Sequence, residues 1–417
     1  MFDDAKMSST HLEPRTAGFL FVGGLAVAGT IIGQLGATSA TTYASSGNGG
    51  VTTGIFLALM LFTAGGAALW TNQMAAKWGG EKVFASAQAG VAASWIFVGV
   101  LEAITDSSLL VLLVAAPIFG IMSGITGVLT PLITRSYVDT GSLTASLARR
   151  SAVSGIAAML GAVIGGYLIH ATDPGIGIVA NGLLTLPLVI FVKSVRPVAA
   201  LTPVQAHPSP MHDFSSRLRS SPQLQRVTVM AVAMTLLVFP LITMIVPILN
   251  DLDHAPLPYG AGLMLASMAA GRLLVPYLTK RLLQRRQELA SALSAAIWAA
   301  GFMIMLAASA LIPLSNYDLA VWTIVGFGFG ASNFTVRPLL IAAAAKSGAK
   351  RDEIVNIVIV TTIGTFVSPV GVLLWGFMID YIGTLFTLAI CAVALIAVVL
   401  ALAGQLTSKD LGVNPTS

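Results

Sequence analysis

Charge is what this chain has least of. Asp, Glu, Lys and Arg together make up 9% of its 417 residues, where a soluble globular chain carries about a quarter. Cysteine is almost absent too: Cys391 stands alone, which excludes a disulfide framework and a cysteine-based metal centre. Five histidines are present, and the two that lie near one another, His207 and His212, have no further His, Cys or acid to complete a ligand set. No His-Glu-x-x-His motif and no phosphate-binding Gly-x-x-x-x-Gly-Lys loop occurs, so zinc hydrolysis and nucleotide-driven work have no sequence support. No cofactor, metal or enzymatic activity is expected.

What fills the chain instead is apolar residue, 56% of the total, with a mean hydropathy of +0.88. A helix crossing a hydrocarbon core needs about twenty apolar residues. Runs of that length lie at 17–38, 51–71, 83–104, 108–134, 151–171 and 176–194, then at 227–249, 258–279, 289–313, 318–345, 354–380 and 383–404. The first run has no clear small-residue cleavage site after it and reads as a retained spanning helix. The 41 glycines and 19 prolines fit such helices, where they allow close backbone approach and local kinks.

Basic residues collect in cytoplasmic loops, and this tests the count. With the N-terminus inside, every Lys and Arg outside the runs falls on the cytoplasmic side, from Lys6 and Arg15 to Lys409. The external side carries acids near helix ends instead, among them Glu102, Asp106, Asp173, Asp251, Asp253, Asp318 and Asp380. A multi-pass protein of the plasma membrane, or bacterial inner membrane, with both termini cytoplasmic is expected. The pI of about 9.4 then reflects topology and not nucleic-acid binding.

The widest polar interruption, 195–226, contains Pro197, Pro203, Pro208 and Pro210. It divides the chain into a six-helix unit at 1–194, a cytoplasmic linker at 195–226 and a second six-helix unit at 227–417. Its later part, Met211 to Arg226, reads either as a surface helix drawn to anionic lipid or as a solvated linker. An internal repeat at an offset of 207 pairs Thr130-Pro131-Leu132-Ile133 with Arg337-Pro338-Leu339-Leu340, and Gly161-Ala162-Val163 with Ser368-Pro369-Val370. Parallel repeats of this kind place a transport site between halves, near mid-membrane.

Over essentially its full length the chain resembles the major facilitator superfamily of secondary transporters. The loop between helices two and three, Asn72 to Glu81, matches the family's G-x-x-x-D-R-x-G-R-R element at Lys77 and Gly79, with Ala76 in place of the acid. The second-half loop, Pro276 to Arg286, keeps Arg281 but has Lys280 at the acid position. The resemblance implies an all-α fold of twelve spanning helices in two six-helix bundles, alternating access, and gating roles for Lys77, Gly79 and Arg281. Gly161-Ala162-Val163-Ile164-Gly165-Gly166 is similar to the family's antiporter element, with Ala162 for its proline. Gly161 and Gly165 thus read either as a sliding face or as plain close packing. Ala116 stands where proton-coupled drug antiporters have arginine.

Only two bases lie well inside the apolar runs, away from their ends: Arg272 in helix eight and Arg337 in helix ten. Each sits about 10 to 12 Å from its cytoplasmic helix end at 1.5 Å per residue. They read either as long side chains snorkelling to the interface or as bidentate ligands for an anion. The spacing from Arg272 to Lys280 resembles that of monocarboxylate, oxalate and nitrate porters of the superfamily. No acid lies deep in a helix, so a cationic solute would lack a counter-charge. Gln34 and Asn333 are the foremost neutral candidates for the cavity wall, because a buried amide has the most donors and acceptors to satisfy. Pro369, with Pro240, Pro247 and Pro338, marks a candidate kink or hinge.

Two functions remain open on the sequence: secondary active transport of a small organic anion or anionic metabolite, and efflux of neutral or amphipathic compounds such as drugs or siderophores. A small-molecule solute, the lipid bilayer and protons are the candidate partners, and a monomer is expected. A non-transporting membrane enzyme, receptor or assembly factor is the third class, for which no motif speaks.

Overall fold

No water inside a bilayer takes up an unpaired backbone group, so a chain this apolar folds into helices that satisfy their own N–H and C=O groups. The computed structural model describes residues 13–45, 49–105, 108–138, 143–197, 214–252, 259–284, 287–309, 311, 318–347 and 353–406. Lys6, Asp106, His207, His212, Asp253, Arg285, Arg286, Lys409 and residues 198–213 of the 195–226 linker lie outside the described residues.

Among the described residues, twelve helices are long and apolar enough to cross a membrane. Spans 1 to 6 are Pro14–Tyr43, Gly49–Trp78, Gly80–Ile104, Ser108–Tyr137, Leu143–Ala171 and Pro174–Ser194. A short helix, Phe214–Ser220, precedes span 7, which runs in three pieces: Pro222–Leu237, Phe239–Thr243 and Ile245–Leu252. Span 8 runs from Tyr259–Gly271 through a 3₁₀ turn, Arg272–Leu274, into Val275–Leu283. Spans 9 to 12 are Glu288–Ser309, Asp318–Ala345, Glu353–Ile382 and Thr384–Ala403. Each of the twelve expected runs is helical over nearly all of its described residues, and the fold is the two-bundle, all-α architecture.

The prolines act unequally. Pro240 and Pro247 accompany the two interruptions of span 7. Pro117, Pro131, Pro187, Pro338 and Pro369 sit inside helices that continue past them. Turn chemistry is local: Asp173 accepts from the Gly175 N–H at 2.6 Å to cap span 6, and Ser221 accepts from the Leu224 N–H to cap span 7. Gly79, at φ +88° between spans 2 and 3, holds a backbone conformation that side-chain-bearing residues rarely adopt.

Within the first six spans, 1 packs on 5 and 6, 3 on 4 and 6, and 2 on 4. Within the last six, 9 packs on 10 and 12, 8 on 10, and 7 on 11. These contacts are backbone-close because small residues line them. A Cβ on Gly124 would stand 2.2 Å from the Ala64 carbonyl oxygen, and one on Gly330 2.2 Å from that of Met268.

Two seams join the halves, span 2 with span 11 and span 5 with span 8, and the last piece of span 7 also touches span 1. The chain alternates direction, so one face of the bundle gathers the helix ends bearing Glu102, Asp173, Asp251 and Asp380 (the acidic end). The opposite face gathers Lys77, Lys82, Arg135, Arg149, Lys193, Arg226, Lys280, Arg281 and Lys346 (the basic end). The halves meet toward the acidic end, whereas among the described residues no seam joins span 4 to span 10 or span 11. Replacing Gly124 by Val forces spans 2 and 4 apart. A loss of about 1 to 3 kcal/mol, the usual cost of overpacking, is expected as a lower melting temperature of the detergent-purified protein.

Candidate functional site

The 3₁₀ turn at Arg272 follows from the proline four residues on. Pro276 has no N–H to offer the Arg272 carbonyl and its ring crowds that oxygen. The Val275 N–H bonds the Arg272 oxygen instead, tightening the turn. Span 8 continues to Leu283, which sets Arg272 about 16 Å from that helix end at 1.5 Å per residue, deeper than the sequence suggested.

The Arg272 guanidinium lies over the ring of Phe334 in span 10, 4.9 Å from its centroid, a cation–π contact that fixes its plane. Gly271 makes the approach possible, since a Cβ there would stand 2.2 Å from the Phe327 carbonyl oxygen of span 10. Arg337, one turn beyond Phe334, is near enough for its charge to act on that of Arg272. Neither arginine forms an ion pair or hydrogen bond with another described residue. Arg272 is half-buried, while Arg337 and Pro338 are exposed, which fits the absence of a span 4 to span 10 seam. Asn333 stands on the same stripe of span 10 as Arg337, four residues earlier, and is half-buried. Gln34, half-buried in span 1, has a side chain with no hydrogen-bond partner among the described residues.

The expected gating residues fall elsewhere. Lys77 is exposed at the basic end, 5.6 Å from the ring centroid of Trp78. Arg281 is exposed near the end of span 8. Gly161 and Gly165 face span 1 of their own half, where added Cβ atoms would meet Ala28 and Ile32. The face of span 5 that reaches the other half is the adjacent one: a Cβ on Gly262 of span 8 would stand 2.4 Å from the Ala162 carbonyl oxygen and 2.8 Å from the Gly166 Cα. Pro369 is buried within a continuous span 11.

One cluster had no sequence signal beyond a basic pair. Span 5 begins at Leu143, about two turns before the apolar run, so Arg150 is inside the helix. Its Nη1 donates to Thr134 Oγ1 at 2.7 Å and its guanidinium lies 6.0 Å from the Phe19 ring centroid. Phe19 stacks on Tyr137, whose hydroxyl donates to the Val195 carbonyl at 2.9 Å, and Thr16 donates to the Tyr137 carbonyl. Spans 1, 4, 5 and 6 are thereby tied together at the basic end.

Twelve spans in two bundles, joined by two inter-bundle seams toward one end, are the architecture of a secondary transporter. Residues 16–354 match the family model of the Major Facilitator Superfamily, and the chain belongs to that superfamily, whose members move solutes by alternating access. Among solved structures it is similar to a D-xylose–proton symporter (TM-score 0.73, 11% identity, 96% of this chain and 98% of that one). It is also similar to the nucleoside transporter NupG (0.69, 11%, 94% and 99%) and to the human organic anion transporter MFSD10, or TETRAN (0.61, 16%, 94% and 100%). No curated protein matches the sequence.

Thr134→Val removes the acceptor of the Arg150 guanidinium. A destabilisation of about 1.5 to 3 kcal/mol is expected for a lost hydrogen bond to a charged group, read as a lower melting temperature.

Proposed function

We propose that this transporter carries a small organic anion, with Arg272 and Arg337 as its ligands. The observation that carries the reading is that Arg272 of span 8 lies over Phe334, one turn from Arg337 of span 10, and that neither arginine has an ion pair with a described residue. Two like charges held near one another repel, and an anion between them relieves that repulsion. Stacking on Phe334 leaves the edge of the Arg272 guanidinium, with its N–H donors, free for a planar carboxylate. Gln34 from span 1 and Asn333 contribute neutral donors and acceptors from opposite halves.

The positive-inside rule puts the basic end in the cytoplasm of a plasma membrane, bacterial inner membrane in kind, with both termini on that side. In that orientation the gap faces the cytoplasm and the closed seams face out. Units 1–194 and 227–417 rock about the linker at 195–226, as a monomer. Lys77, Gly79 and Arg281 belong to the loops that approach when the basic end closes, and Gly161, Gly165 and Pro369 shape the spans that carry the motion. Protons are the candidate coupling ion.

A thermal-shift screen of the purified protein against anionic, neutral and cationic metabolites, followed by uptake of the hits in proteoliposomes, tests this. An anion at a hundred times its dissociation constant stabilises the folded state by about 2.7 kcal/mol. Arg272→Ala is expected to abolish that shift and to lower transport by about tenfold or more, since truncating one partner of a buried charged pair costs about 2 to 5 kcal/mol. Arg272→Lys retains part of it, lacking the bidentate fork. Stabilisation by neutral or amphipathic compounds alone, unchanged by Arg272→Ala, would overturn the anion reading in favour of efflux.

A further inference from the structure

Spans 2 and 11 belong to different halves, yet at the acidic end one side chain holds them together. The Gly50 N–H donates to Asp380 Oδ1 at 2.9 Å and the Val51 N–H to Asp380 Oδ2 at 2.7 Å. Both oxygens of a carboxylate at the end of span 11 therefore occupy two of the four backbone donors that the first turn of any helix leaves without an intrahelical partner. The positive end of the span 2 dipole faces the same carboxylate.

The approach is built into the sequence on both sides. A Cβ on Gly50 would stand 2.6 Å from Asp380 Oδ1 and 2.8 Å from the Gly376 carbonyl oxygen; one on Gly376 would stand 2.5 Å from that of Gly50. One turn further in, a Cβ on Gly54 would stand 2.9 Å from the Val372 carbonyl oxygen. Two backbones in contact are what let a short aspartate reach both amides. The contact has thinned by Gly65, where an added Cβ would meet side-chain atoms of Thr365 and Phe366 at 3.5 Å or more, and Gly66 faces open space.

The internal repeat shows that Asp380 is not merely an ordinary helix cap. At the offset of 207 its counterpart is Asp173, which caps span 6, the helix that follows it in its own half. The equivalent helix in the second half is span 12, and there Asp251, from the end of span 7, accepts from the Thr384 N–H at 2.7 Å. Ala44 occupies the position equivalent to Asp251 in the first half. The second half has thus passed the local capping task to a different acid, and Asp380 is free to reach across the seam.

We infer that Asp380 is the latch of the gate at the acidic end: its hydrogen bonds to Gly50 and Val51 hold that end shut in the state described here and must break for the gap to open there. This rests on alternating access and not on the charge of the solute.

The test uses the full chain with Cys391→Ala and spin labels at Tyr43→Cys and Tyr381→Cys, exposed positions on opposite halves at the acidic end. Distance distributions are recorded by electron–electron resonance in lipid nanodiscs. Asp380→Ala is expected to move the ratio of long to short distances upward by about tenfold, the scale of a lost charge-assisted hydrogen bond. Asp380→Asn, which keeps the shape and one acceptor, moves it in the same direction by less and carries the test if the alanine variant does not fold. Asp173→Ala is the control: it removes a helix cap, lowers the melting temperature and leaves the distances unchanged. An unaltered distribution in the folded Asp380 variant, or an equal shift in Asp173→Ala, overturns the latch. Because the readout is a distance, the outcome does not depend on whether the solute is an anion.

Discussion

Everything in this molecule answers to one constraint: inside a bilayer a backbone donor or acceptor has no water to turn to. Regular helix meets the constraint nearly everywhere, and the departures are few and specific. Pro276 withholds a donor and the chain replies with a 3₁₀ turn at Arg272. Span 7 breaks at Val238 and Met244, and each break is re-bonded, Val238 N–H to the Met234 oxygen and Met244 N–H to that of Pro240. At the ends of helices the same debt is met by Asp173, Asp251, Ser221 and Asp380.

The twelve spans were legible because apolar runs of span length are long-range-independent signals, and basic residues reported which ends share a face. The halves were legible from the 207-residue offset. Boundaries were less so, since polar residues at a membrane interface extend a helix without extending its apolar run. Span 5 shows the consequence: Arg150, adjacent in sequence to the exposed Arg149, is part of a packed cluster with Phe19, Thr134 and Tyr137. Nothing in a one-dimensional pattern separates these two arginines.

The charges of the candidate site stand out in the sequence, and their neighbours do not. Two arginines in apolar surroundings stand out in any sequence, but that they approach one another, and that Phe334 underlies Arg272, depends on how spans 8 and 10 cross at Gly271. The glycines of span 5 illustrate the same limit. Their spacing gives a smooth face, and only the three-dimensional register decides that Gly161 and Gly165 serve span 1 while Gly166, one residue along from Gly165, meets span 8.

The glycine seam between spans 2 and 11 also bears on how quickly such a molecule could reverse. Interlocked side chains must disengage and find new rotamers before two helices part. Where Gly50, Gly54 and Gly376 bring backbone against backbone, there are no teeth to unmesh at these points, and separation needs only solvation of the surfaces exposed. A smooth joint of this kind suits repeated opening far better than an interdigitated one of equal area.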